Sequence, residues 1–120
     1  MSAAPTRRIT PAEYLELDRV ASERFQYYQG EMLATAGGTK NHNQIIQNIA
    51  FGLRSVFQSL GRSCRTYITD LRVRVDANNF YTYPDVAVVC GKAEFLDKRE
   101  DTLLNPVVVV EVLSPSTEHF

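Results

Sequence analysis

The chain has 120 residues, 44% of them hydrophobic and 22% charged, with a formal net charge of -1. That length allows one domain with a real core, and the balance is ordinary for a soluble globular protein. It excludes a global basic field of the kind that announces nucleic acid. No apolar run approaches the about 20 residues of a membrane span.

The opening Met1-Ser2-Ala3-Ala4-Pro5-Thr6-Arg7-Arg8 lacks the apolar stretch of a signal peptide, so a cytoplasmic location is expected. Cys64 and Cys90 match no zinc spacing. They are expected to be reduced and buried, because free cysteine is among the most buried residue types.

Ile9 to Leu17 reads as a helix. Thr10 is its cap, Pro11 its first residue and Glu13 the partner in a capping box, with Tyr14 and Leu17 facing inward. Arg24 to Thr35 alternates in patches, giving two short strands around a turn at Gly30. Gly37-Gly38 breaks the pattern.

Asn41 to Leu60 is the long helix, with Ile45, Ile49, Leu53, Val56, Phe57 and Leu60 as its apolar stripe. Gly61 ends it, and Gly52 inside it implies a close packing contact. His42, in the first turn, is either a capping or surface residue or a neighbour of a phosphate or metal, since helix N-termini favour anions.

From Ser63 to Val75, apolar positions alternate with Arg72, Arg74 and Asp76, as in a strand with one wet face. Asp76-Ala77-Asn78-Asn79 is the turn, and Tyr81 to Cys90 the return strand of a hairpin. Pro84 cannot donate to a ladder, so Asp85 should sit at a bend or an edge. Gly91 to Asn105 reads as a charged loop with one helical turn at Ala93–Leu96. Val107 to Leu113 should be a central strand covered on both faces. Ser116 or Thr117 would cap a further helix, but the chain stops at Phe120. The expected architecture is an α/β (α+β) domain, a mixed β-sheet flanked by helices.

Two acids stand where apolar strands should carry none. Asp85 opens the run Val86-Ala87-Val88-Val89-Cys90, and Glu111 interrupts Val107-Val108-Val109-Val110 and Val112-Leu113. A buried carboxylate is unfavourable unless it is paired, hydrogen-bonded or on a metal. Hard cations such as Mg²⁺ take one or two carboxylates plus substrate phosphates. A turn role for Asp85, and a salt bridge from Glu111 to Arg72 or Arg74, are the plainer alternatives.

These residues resemble the Uma2 family, a branch of the PD-(D/E)XK nuclease superfamily. The resemblance rests on Phe25-Gln26-Tyr27-Tyr28-Gln29-Gly30-Glu31, Ala36-Gly37-Gly38-Thr39 with Asn41-His42, Tyr83-Pro84-Asp85-Val86 and Val110-Glu111-Val112-Leu113-Ser114-Pro115-Ser116-Thr117. It implies a restriction-endonuclease-like core and one nuclease domain over residues 1–120, cut short at its C-terminal end so that the last helix is missing. It also implies that Asp85 and Glu111 are catalytic acids and ligands of Mg²⁺ or Mn²⁺.

The superfamily's lysine position, two after Glu111, holds Leu113, and the family often has an acid where Gln26 stands. One reading is a Mg²⁺-dependent DNA endonuclease in which His42, Lys40, Arg72 and Arg74 contact substrate. The other is a catalytically weak or inactive module for nucleic-acid binding or self-association. An uncovered face on the last strand would favour a homodimer.

Overall fold

The structure, a computed structural model, describes residues 8–35, 37–75 and 79–113. The turn at Asp76-Ala77-Asn78 and the helix start at Ser116 or Thr117 lie outside the described residues. Among those described, two helices accompany eight strands in a mixed α/β arrangement. No helix of the described residues is long and apolar enough to cross a membrane.

Helix α1 spans Pro11–Val20. Its capping box forms as the sequence requires: Glu13 N donates to Thr10 Oγ1 at 3.1 Å, and Thr10 N to Glu13 Oε1 at 2.9 Å. Tyr14 faces inward as expected, but Leu17 is 50% exposed, and Leu15 and Asp18 are the other buried positions. Strands β1 (Phe25–Tyr28) and β2 (Glu31–Ala34) form the expected hairpin. Gln29 and Gly30 take φ of 49° and 91°, the left-handed pair that a two-residue hairpin turn demands.

The long helix α2 runs over Lys40–Ser59, capped by Thr39. It lies against the strand that follows it, β3 (Cys64–Ile68). That support is narrow: within α2 Ile46 is the buried residue, while Ile45, Val56 and Leu60 of the expected stripe stay exposed. Gly52 meets nothing within 4 Å, so it allows no close contact.

The predicted hairpin from Ser63 to Cys90 is real but broken. β3 pairs antiparallel with β6 (Val86–Cys90), and β4 (Arg72–Val75) with β5 (Phe80–Thr82). The register slips by one residue between the two halves, and each half joins a different sheet. One sheet has the order β2-β1-β5-β4-β7, the other β3-β6-β8. β7 is the dipeptide Thr102–Leu103, parallel to β4; β8 is Val108–Val110, antiparallel to β6. The expected helical turn at Ala93–Leu96 is absent, because Phe95 bridges to Leu103 in extended form.

Further expectations are corrected. Among the described residues β8 is an edge strand and not a covered central one, with Val107, Val108, Val109 and Leu113 at 60%, 51%, 49% and 63% exposure. Cys64 and Cys90 are neither free nor fully buried: they stand opposite each other in the β3–β6 ladder and form a disulfide. Arg72, assigned to a wet face, is 3% exposed.

The core has two parts. Tyr14 and Leu15 of α1 pack on Tyr27 and Tyr81 of the sheet, with the three tyrosine rings 5.0 to 5.8 Å apart. Val73, Ala87, Val89 and Leu103 pack where the two sheets meet.

Candidate active site

Asp85 and Glu111 meet because of strand register. β6 and β8 pair Val86 with Val110, and one step further along that antiparallel register sets Asp85 opposite Glu111. Both line an open cleft of about 760 Å³, walled by residues that include Gln26, Arg74, Thr82, Leu104 and Val108.

The Asp85 carboxylate is held in place. Its Oδ2 accepts the Val112 amide at 2.6 Å and lies 3.3 Å from His42 Nε2. The same Nε2 is 2.9 Å from the Val112 carbonyl oxygen. A carbonyl only accepts, so Nε2 carries the hydrogen. His42 reaches this position because Gly38 has no side chain: a Cβ there would lie 2.7 Å from His42 Nδ1.

Glu111 is more exposed than Asp85, yet it too lines the cleft. Burial, followed by repulsion from Asp85, pushes its pKa up to about 7, with His42 opposing. The like charges of the two acids therefore lack full compensation. Oxygen-only donors with unmet negative charge suit a hard cation such as Mg²⁺, which completes its sphere with water and substrate. Among the described residues, no group of three or more His, Cys, Asp or Glu has the geometry to hold a metal.

Of the expected substrate contacts, Arg74 lines the cleft. Lys40 is exposed at the first residue of α2, outside the lining. His42 spends Nε2 on the Asp85–Val112 pair. Arg72 is a correction: its Nη2 and Nε donate to Asp18 Oδ2 at 2.8 and 3.0 Å, and its Nη1 to Thr102 Oγ1 at 2.7 Å. That guanidinium is spent inside the protein and reaches neither a phosphate nor Glu111. Burial pulls the Arg72 pKa down, but the Asp18 hydrogen bonds and nearby tyrosines outweigh it, so the group stays cationic.

Sequence reasoning missed Asp18 and Tyr83. Asp18 Oδ2 also accepts the hydroxyls of Tyr14 and Tyr83, and Oδ1 accepts the Phe25 amide. The available signal was Asp18 itself, an acid on the inward face of an amphipathic helix. Burial and the bond to Asp18 push the Tyr83 pKa up, so it remains a donor.

A family model described as "Putative restriction endonuclease", Uma2, matches residues 11–120. The chain belongs to the Uma2 family. Two uncharacterized proteins of Synechocystis sp. are 33% and 34% identical to it, over 121 and 120 aligned residues. The alignments cover 100% and 98% of this Uma2 chain but 67% and 60% of those relatives. A crystal structure from Anabaena variabilis, titled as a putative nuclease belonging to DUF820, superposes with a TM-score of 0.69 at 21% identity. It covers 90% of this chain, which spans 60% of that one. This likeness shows a shared fold.

Proposed function

We propose that this chain carries the cation site of a Mg²⁺-dependent DNA endonuclease, with Mn²⁺ as an alternative ion. The observation that supports this most is the register-set convergence of Asp85 and Glu111 in one cleft, with Asp85 oriented by Val112 and His42. Mg²⁺ bound there would polarise a phosphoryl oxygen and lower the pKa of a coordinated water. Asp85 and Glu111 hold the ion, His42 and the Val112 amide keep one Asp85 oxygen fixed, and Arg74 meets substrate phosphate from the wall. Plasmid nicking tests the reading. The parent protein with Mg²⁺ or Mn²⁺ nicks DNA and Asp85→Asn does not; equal activity in both would end the proposal.

One observation favours a second reading, a weak or inactive nuclease-fold module that binds nucleic acid or itself. Gln26, where the family often has an acid, lines the same cleft and accepts a hydrogen bond from Thr82 Oγ1 at 3.2 Å. A neutral amide lends a cation less support than a carboxylate. This reading predicts DNA retention in a gel without cleavage. The exposed valines of β8 support a homodimer under either reading.

A further inference from the structure

Tyr83-Pro84-Asp85 is where the chain leaves one sheet for the other. β5 ends at Thr82 in the five-stranded sheet, and β6 begins at Val86 in the three-stranded one. Between them the backbone has left the β4–β5 ladder, and the register slips. Thr69 N donates to Asp85 O at 3.2 Å across this break. Pro84 is buried, and its ring fixes one backbone angle of the crossover. The Val112 amide and His42 hold the Asp85 carboxylate at its tip, and the crossover that begins at Tyr83 carries its backbone.

Tyr83 is held firmly. Its hydroxyl donates to Asp18 Oδ2, and the guanidinium carbons of Arg24 and Arg72 lie 5.5 and 5.6 Å from its ring centroid. The Asp18 side chain is fully buried, and the pair with Arg72 already meets its charge. The Tyr83 hydroxyl is thus an extra donor on a carboxylate that is already compensated. A buried ion pair is weak evidence for added stability compared with apolar packing. What this pair provides is a fixed point, tying α1 and β4 to the crossover.

We infer that Asp18 is a positioning residue for the acid pair: through the Tyr83 hydroxyl it fixes the Tyr83-Pro84-Asp85 crossover, and so the direction of the Asp85 carboxylate. The inference rests on reading Asp85 and Glu111 as a cation site. Its geometric core, that Tyr83 orients Asp85, can be read without any cation.

The test compares Tyr83→Phe with Tyr27→Phe, which removes another core hydroxyl, one that donates to Ile9 O at 2.7 Å away from Asp18. Two readouts are taken: Mn²⁺ affinity, and the amide resonance of Val112, whose N–H donates to Asp85 Oδ2. Tyr83→Phe should weaken Mn²⁺ binding by about tenfold, as loss of a supporting contact behind a ligand does, and should shift the Val112 amide. Tyr27→Phe should change neither. Asp18→Asn, where it folds, should follow Tyr83→Phe. An unmoved Val112 amide in Tyr83→Phe overturns the inference, as does a shift of equal size in Tyr27→Phe. If the parent takes no Mn²⁺, the cation-site reading falls, while a Val112 shift specific to Tyr83→Phe still upholds the link from Asp18 to Asp85.

Discussion

His42 Nε2 lies 3.3 Å from Asp85 Oδ2, and it is there because Gly38 leaves room for the ring. Gly38→Ala should displace the imidazole, since a Cβ 2.7 Å from Nδ1 cannot be accommodated in place. We expect cation affinity to fall about tenfold, the usual result of losing a group that orients a ligand. Calorimetric titration with Mn²⁺ checks this, and unchanged affinity would show that His42 does not orient Asp85.

Glu111 predicts a conflict between stability and function. Its pKa in the folded protein is raised to about 7, so the fold binds its proton more tightly than the unfolded chain does. The stabilising contribution is present below its ordinary carboxylate range and is lost as pH rises toward 7. Above that, the ionised acid works against the metal-free fold. Glu111→Gln should therefore raise the melting temperature at pH 8 without cation and leave it unchanged at pH 4. Because water still reaches the carboxyl, the gain is held under about 1 kcal/mol, a shift of no more than about 4 °C. The same variant should lose cation binding. A lower melting temperature at pH 8 would mean that Glu111 is already neutralised within the protein.

Arg72 and Arg74 sit in one strand but should behave oppositely. Removing Arg72 strands the buried Asp18 carboxylate, so Arg72→Ala should cost about 3–5 kcal/mol in urea denaturation. Arg74→Ala should leave stability closer to the parent and weaken DNA retention. Equal losses of stability would contradict separate roles for the two arginines.

The Cys64–Cys90 disulfide joins positions 26 residues apart in sequence, at the end of β6 away from Asp85. Closing a loop of that length contributes about 3.5 kcal/mol through the unfolded state. A Cys64→Ser, Cys90→Ser double variant should melt earlier yet keep the parent's Mn²⁺ affinity. A large loss of affinity would mean that the five-pair β3–β6 ladder does not hold the site without the bond.

What the sequence discloses here follows from the range of each interaction. The Thr10–Glu13 capping box and the Gln29-Gly30 turn are local, and both could be read directly. The two acids were legible because a carboxylate in a valine run is conspicuous. Alternation alone makes Arg72 look solvated, because its partner, Asp18, lies 54 residues away. The Cys64–Cys90 bond is hidden from the sequence for the same reason: the β3–β6 register brings the two residues opposite each other. The stripe on α2 and the valines of β8 are truly apolar, but periodicity does not reveal what covers them, and in these residues much of that surface is exposed.

The central claim is that Asp85 and Glu111 form one cation site. Calorimetric titration of the parent, Asp85→Ala and Glu111→Ala with Mg²⁺ and then Mn²⁺ at pH 8 addresses it most directly. Saturable binding of about one ion in the parent, lost in both variants, is the predicted result. Binding that survives in either variant, or none in the parent, would contradict a shared site.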